Sequence, residues 1–254
     1  MLLAVDSATR LMSIALYDGQ ALLAEQTWSS HNQHTRQLAP AIFTLLDSCD
    51  LELNDVSALG VSIGPGSYTG LRIGVALVKG IAAARKLPVV GMTTLDTLAA
   101  AQPHIQGGAG LVVVVQAGRA RVIVKTYHWR KGQWGGRSEP LLLTWEGLLA
   151  QLDGPATITG EIDSDGMNIL RAAQAAGTPL TIMPGAHRLR RAGFLAQAAW
   201  DTLHAAEDKS VYAAGRLLPI YLQTVDEPTP AVAPDALPVT EPAAAVPSAD
   251  EPLS

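Results

Sequence analysis

The hydrophobic and polar positions along the first hundred residues predict a few short strands followed by alternating helices and strands. Apolar or alternating runs predict strands at residues 2–5, 12–17, 21–28, 58–63 and 88–91. Apolar positions at helical spacing predict helices at residues 34–47, 70–85 and 94–101. Asp18-Gly19 predicts a two-residue hairpin turn between the second and third strands. This order is typical of an actin-like, ribonuclease-H-type α/β domain.

A similar pattern in a smaller form follows the glycine-rich break at Gln106–Gly110. Further strands are predicted at residues 111–115, 122–127, 156–159 and 180–183. Further helices are predicted at residues 144–151, 165–176 and 191–206. The sequence therefore predicts an N-terminal actin-like domain over residues 1–103 and a smaller second copy over residues 104–222.

Residues 223–254 differ in composition from the rest of the chain. They contain seven prolines, six acidic residues, no lysine or arginine and no aromatic residue. Such a segment cannot bury enough apolar surface to offset the entropy lost on ordering. We expect a disordered acidic tail rich in proline and alanine.

The stretch from Gly64 to Val75, GPGSYTGLRIGV, joins a predicted strand to a helix that carries almost no charge. A strand, a glycine-rich turn and a helix together aim backbone N–H groups at an anion. Leu71 follows Gly70, however, so the turn lacks the lysine and hydroxyl residue that end a nucleotide P-loop. Gly70, Gly74 and Gly80 each cost up to ~1 kcal/mol of helix propensity, and they allow another backbone to come close. We interpret the helix first as a packing surface.

This turn and helix resemble the signature of the bacterial TsaB family, also called YeaZ. Four other segments are similar to segments of that family: Leu2–Thr9, His34–Leu46 with Leu53–Val56, Val89–Leu95 and Leu217–Leu222. The resemblance is specific over residues 1–100 and loose from there to Tyr221.

The resemblance implies a two-lobed actin-like fold and a role in making threonylcarbamoyladenosine in tRNA. It implies pairing with the catalytic subunit TsaD, joined by the ATPase TsaE. The complex transfers a threonylcarbamoyl group to N6 of the adenosine 3′ to the anticodon. This chain would be a non-catalytic scaffold that meets tRNA only through the complex, with a homodimer as an alternative when it is alone. Two other hypotheses remain: an actin-like ATP-dependent kinase or hydrolase acting alone, and a metallopeptidase-like protein.

The partner surface is predicted on the helices at residues 34–47 and 70–85. One face of such an apolar helix is expected to pack on the sheet and the other to meet a partner. Together the two helices are expected to expose a shared apolar strip. The predicted interface residues are Leu38, Ala41, Leu45, Leu71, Arg72, Gly74, Val75 and Val78.

A nucleotide site, if this chain had one, would use Asp6, Ser7, Gly66 and Ser67. In actin-like kinases and ATPases an aspartate at the position of Asp6 holds magnesium through water. The matching position of the second domain holds Gln116, and an amide is a poor magnesium ligand that cannot act as a base. We therefore expect Asp6 to be a structural turn carboxylate, and we predict no catalytic residue. We also predict no cofactor in this chain, with ATP or ADP restricted to a complex interface.

His31 and His34 are three residues apart and have no acidic residue nearby, so we expect exposed helix-start residues and no metal site. Ser67 lies in no nucleophile elbow. We expect Ser67 or Thr69 to cap the following helix instead.

The formal net charge of −5 over 254 residues is unevenly distributed. Without the acidic tail the chain carries 18 basic and 17 acidic residues, and such a body is a poor tRNA ligand on its own. The cluster His187–Arg191 is interpreted as a solvated loop, with a contact to RNA or to an acidic partner as the alternative. Cys49 is the only cysteine, and no apolar run approaches the ~20 residues of a membrane helix. These features predict a soluble, cytoplasmic protein.

Overall fold

The first sheet is built from the N-terminal apolar runs. The computed structural model describes residues 1–30, 33–105, 108–118 and 120–221. The strands of this sheet are β1 (Leu2–Asp6), β2 (Leu11–Tyr17), β3 (Leu22–Ser29), β4 (Ala58–Gly64) and β5 (Val89–Thr93). They lie in the order β3-β2-β1-β4-β5. β1 is antiparallel to β2 and parallel to β4, which is the order expected of a ribonuclease-H-type sheet.

The second sheet uses the same arrangement of its first strands. Its strands are β6 (Gly110–Gly118), β7 (Arg121–Arg130), β8 (Gln133–Gly136), β9 (Leu141–Thr144), β10 (Ala156–Gly160) and β11 (Leu180–Ile182). The order is β11-β10-β6-β7-β8, and β9 pairs with β7. β6 is antiparallel to β7 and parallel to β10. The predicted two-lobed, actin-like α/β fold is confirmed.

Helices cover the sheets because the strands carry apolar residues on both faces. The helices are α1 (His34–Asp47), α2 (Tyr68–Arg85), α3 (Thr94–Ala100), α4 (Trp145–Ala150), α5 (Ser164–Ala175) and α6 (Ala192–Ala205). In β1, Leu3 and Val5 belong to the core shared with α1 and α2. Leu2 and Ala4 belong to the core shared with α6. The alternation along β1 therefore places α1 and α2 together on one face of the first sheet.

The packing of two helices crosses the predicted division at residues 103 and 104. α6 follows the second sheet in sequence but packs on the first one. α3 precedes the second sheet but shares a core with β6 and β7. Residues 1–222 form one compact unit that contains both sheets. The two-domain division stays a prediction.

Two details of the predicted secondary structure are wrong. The connection between β2 and β3 spans Asp18–Ala21, because the Asp18 carboxylate accepts from the N–H groups of Gln20 and Ala21, both at 2.7 Å. Strands β8 and β9 were not predicted. β8 reads QWGG, which has no apolar alternation, and β9 reads LLLT directly before a helix.

The end of the described chain is attached to the first sheet. Leu217 is buried in the core beneath α2, and the Ile220 N–H donates to the Ile63 carbonyl at 2.7 Å. Ile220 and Tyr221 themselves are 40% exposed. The predictions for His31 and for residues 223–254 lie outside the described residues. Among the helices that the structure describes, none has the length and apolar character needed to cross a bilayer.

Candidate functional site

The glycine-rich turn starts α2 with a side-chain cap. Ser67 is the N-cap residue, and its hydroxyl accepts from the Gly70 N–H at 3.3 Å. The predicted capping role of Ser67 is therefore confirmed. The Ser67 N–H donates to the Ala8 carbonyl at 2.6 Å, so this N–H is already used within the chain.

Two glycines of the signature are required by the turn that follows β1. A Cβ on Gly70 would lie 2.3 Å from the Ser7 carbonyl oxygen, and one on Gly74 would lie 2.1 Å from the Ser7 hydroxyl. The Ser7 hydroxyl in turn donates to the Gly70 carbonyl at 2.8 Å. A Cβ on Gly80, by contrast, would meet no atom of the described residues within 4 Å. Gly70 and Gly74 thus permit close internal packing, whereas internal packing does not explain Gly80.

This difference predicts opposite effects for two matched substitutions. Gly70→Ala forces the Ser7 backbone to move and is expected to lower the free energy of unfolding by about 1–3 kcal/mol. Gly80→Ala removes a flexible residue from an exposed helix position and is expected to raise it by up to ~1 kcal/mol. Urea denaturation of the two variants and the wild type measures both. Equal stability of the two variants would contradict the packing described for Gly70.

The predicted nucleotide residues do come together, but they pack against one another. Asp6 and Ser7 are fully buried. A Cβ on Gly66 would lie 2.2 Å from the Ala8 carbonyl oxygen. The Asp6 carboxylate accepts from the Ala8 N–H at 3.0 Å, as expected of a turn carboxylate. The turn is therefore filled by its own backbone.

Most of the predicted interface residues lie in the core of this chain. The buried ones are Leu38, Leu45, Leu71, Gly74, Val75 and Val78. Ala41 is half-buried and Arg72 is exposed. The expectation that the buried six form an exposed strip is wrong, because their stripe faces the first sheet. Arginine at Leu71 or Val75 would therefore disrupt the fold rather than only a complex.

The exposed side of α2 carries one arginine followed by small residues. Arg72, Ala76, Gly80 and Ala83 recur at helical spacing and are all exposed; we call these four residues the α2 outer face. Arg72 lies 3.8 Å from the centroid of the Tyr68 ring, and its Nε donates to the Tyr221 hydroxyl at 3.4 Å. On α1, Phe43 is 59% exposed.

A buried guanidinium neutralises the end of β1. Arg190 is 1% exposed, and its Nε donates to the Asp6 carboxylate at 3.1 Å. Its other nitrogens donate to the Thr9 hydroxyl at 2.7 Å, to the Leu11 carbonyl at 2.6 Å and to the Glu161 carboxylate. Burial opposes the charged form of Arg190, but the two carboxylates raise its pKa above the ordinary value. We call Asp6, Thr9, Glu161 and Arg190 the Arg190 cluster.

Glu161 supplies the carboxylate that the sequence lacks at Gln116. It follows β10 directly, and its Oε2 accepts from the Gln116 N–H at 3.4 Å. Sequence reasoning missed both Glu161 and Arg190. The interpretation of His187–Arg191 as a solvated loop is wrong for Arg190, and Arg191 forms an ion pair with Glu25 at 2.6 Å.

His34 is also buried, contrary to the expectation of an exposed helix start. Its Nε2 lies 2.8 Å from the Thr9 carbonyl, and its Nδ1 lies 3.3 Å from the Ser30 hydroxyl. Both ring nitrogens are therefore engaged in the structure of the turn. Within the described ranges, no three metal-ligating side chains of His, Cys, Asp or Glu come together.

Comparison with known proteins identifies the family. A family model described as TsaD, tRNA N6-adenosine threonylcarbamoyltransferase, matches residues 22–135. The tRNA threonylcarbamoyladenosine biosynthesis protein TsaB of Bacillus subtilis is 32% identical over 162 residues, which are 63% of this chain and 70% of that protein. This chain belongs to the TsaB family. The TsaB of Escherichia coli is 30% identical over 56% of this chain and 62% of its own length.

A solved structure of the same family agrees with the fold. YeaZ from Pseudomonas aeruginosa superposes with a TM-score of 0.68 at 25% identity, over 87% of this chain and 99% of that one. The likeness to the TsaB family extends through both sheets. Membership of this family agrees with the resemblance read from the sequence.

Proposed function

We propose that this chain is the non-catalytic partner subunit of TsaD in the synthesis of threonylcarbamoyladenosine in tRNA. TsaD carries out the transfer of the threonylcarbamoyl group to N6 of the adenosine 3′ to the anticodon, and TsaE joins the complex. This chain stabilises and positions TsaD. Its relatives that carry the TsaB name are tRNA threonylcarbamoyladenosine biosynthesis proteins, which supports the pathway.

The α2 outer face supports the proposed pairing of this chain with TsaD. It belongs to the helix that begins within the family signature, and no atom of the described residues lies where a Cβ on Gly80 would project. Small residues let a second helix approach closely, so that ridges and grooves interlock over a short distance. Phe43 on the neighbouring α1 offers an apolar anchor of the kind that dominates interfaces. A stable interface between the two subunits would bury more than ~1,000 Å² in total.

The Arg190 cluster supports the proposal that this chain has no catalytic activity. A magnesium ion needs carboxylate or water oxygens that are free to coordinate it. The Asp6 carboxylate is fully buried and already shared between a backbone N–H and the Arg190 guanidinium. A second cation beside that guanidinium would be repelled at short range. We therefore propose no cofactor for this chain itself, and we place any ATP or ADP at the interface with the partner.

The pairing is tested directly by sedimentation of the purified full chain alone and with purified TsaD. We expect a stable heteromeric species in the mixture. Exclusive self-association of this chain, with TsaD sedimenting separately, would overturn the proposed partnership.

The isolated chain is expected to hydrolyse no ATP and to modify no tRNA. Gln116→Asp is expected to leave it inactive, because the Arg190 guanidinium would still occupy the end of β1. Phosphate release by the wild type, Gln116→Asp and Asp6→Asn measures this. Turnover by the wild type that disappears in Asp6→Asn would instead favour an actin-like kinase or hydrolase acting alone.

A further inference from the structure

The β7–β8 hairpin forms an edge of the second sheet. Its turn residues Lys131 and Gly132 have φ values of 50° and 82°, both in the left-handed region that a tight two-residue hairpin turn requires. Trp129 pairs directly with Trp134, and Arg130 with Gln133. The register therefore places the two tryptophans side by side on one face of the hairpin.

The sequence around this hairpin is basic although the body of the chain is nearly neutral. Residues 97–138 contain six of the 18 lysines and arginines and no aspartate or glutamate. Not all of these cations are free. Lys125 forms an ion pair with Asp96 at 2.8 Å, and Arg137 lies 3.8 Å from Asp153.

The two cations at the turn between β7 and β8 are different. Arg130 and Lys131 are exposed, and neither has a carboxylate partner among residues 1–30, 33–105, 108–118 and 120–221. Both therefore project a positive charge that the described part of the chain does not neutralise.

The same hairpin also carries aromatic rings. The exposed His104 ring stacks on Trp129 with a centroid distance of 4.8 Å and an interplanar angle of 29°. Trp129 meets Trp134 edge to face at 5.3 Å. The Trp134 indole N–H donates to the Gln102 carbonyl at 3.1 Å, which fixes the group to the body of the chain. The rings are therefore held in place rather than free to collapse.

The β7–β8 hairpin thus carries half-buried aromatic rings on one face and, at its turn, two cations without a carboxylate partner in the described part of the chain. Aromatic rings and cations on one element are the combination by which proteins hold unpaired nucleotides. Bases stack on the rings, and phosphates meet the cations. An acidic peptide would need the cations but not the rings. We propose that Arg130, Lys131, Trp129, Trp134 and His104, which we call the hairpin tip, form an RNA-contacting surface. The identification of this RNA as the tRNA held by the TsaD complex rests on the proposed function.

Neutralising the two cations tests this surface. The double variant Arg130→Gln/Lys131→Gln is expected to bind unmodified tRNA roughly tenfold more weakly at low salt. Its plot of log affinity against log salt is expected to be shallower by about 1–2. Fluorescence anisotropy at several salt concentrations measures both quantities, on the full chain alone and on the full chain paired with TsaD.

The matched control is Arg171→Gln/Lys209→Gln, which removes two exposed cations from α5 and from a turn after α6. We expect this control to bind tRNA like the wild type. Equal affinity and equal salt slope for the two double variants would overturn the proposal. So would a hairpin-tip variant that binds TsaD more weakly and tRNA normally, because the tip would then be a protein contact.

Failure of the proposed function gives a different result. The proposed function would be wrong if the wild-type chain neither paired with TsaD nor supported tRNA modification. The hairpin tip would still be supported as an RNA-contacting surface if the Arg130→Gln/Lys131→Gln variant lowered the tRNA affinity of the full chain alone. If tRNA modification proceeds normally and the hairpin-tip variant binds tRNA as tightly as the wild type, the proposed function is supported and the proposed RNA-contacting surface is wrong.

Discussion

Arg190→Met is expected to lower the free energy of unfolding by about 3–5 kcal/mol, because it leaves the buried Asp6 carboxylate and the half-buried Glu161 carboxylate without their counter-ion. Arg190 contacts Asp6 and Glu161 and is itself 1% exposed. Domains of this kind have a total stability of only about 5–15 kcal/mol. The loss should therefore appear as a large shift of the urea midpoint.

The neighbouring residue provides the control. Arg191→Met also breaks an ion pair, with Glu25, but Arg191 is 44% exposed and its pair is expected to contribute at most ~1 kcal/mol. If the two variants lost similar amounts of unfolding free energy, Arg190 would not be the buried counter-ion of Asp6 and Glu161 described above. Adding Asp6→Asn and Glu161→Gln to Arg190→Met should recover part of the lost stability, since no buried charge then remains unpaired.

Ala83→Arg is expected to weaken the pairing with TsaD at least ~100-fold, which corresponds to ~2.7 kcal/mol. Ala83 lies on the α2 outer face and is exposed, so the substitution leaves the core of this chain intact. A long charged side chain there would keep the partner helix away or be buried without a counter-ion. Titration calorimetry with TsaD measures the dissociation constant, and thermal melting checks the fold.

The control is Ala172→Arg, the same change at an exposed position of α5. It should leave both the pairing and the melting temperature unchanged. An Ala83→Arg chain that binds TsaD as tightly as Ala172→Arg would place the interface elsewhere.

Much of the fold follows from local patterns in the sequence. The helix predicted at residues 34–47 is α1, and the strand predicted at 58–63 is β4, because helical spacing and short apolar runs are local signals. β8 escaped prediction because its ladder to β7 is held by backbone pairing rather than by an apolar pattern.

The sequence predicts the contacts of the site only where the residues involved are close together along the chain. The cap at Ser67 follows from adjacent residues. Leu71 and Val75 were assigned to the partner surface because periodicity reveals an apolar stripe but not which neighbour covers it. Arg190 could not be paired with Asp6 from the sequence, since 184 positions separate them.

The hairpin tip had a usable sequence signal that the overall charge concealed. Residues 97–138 lack acidic residues entirely, while the total for the body is close to neutral. A charge count over windows of this length would have found the region. The stacking of His104 on Trp129 needed the structure, because β6 and part of β7 separate the two residues.

In the proposed function, this chain enables the transfer reaction by pairing through the α2 outer face and not by chemistry of its own. The most direct measurement is the amount of threonylcarbamoyladenosine formed on unmodified tRNA by TsaD, TsaE and the threonylcarbamoyl adenylate. This chain is supplied as wild type, Ala172→Arg or Ala83→Arg. We expect full modification with the first two and nearly none with Ala83→Arg, although all three melt at similar temperatures. Full modification with Ala83→Arg, or without this chain at all, would contradict the account.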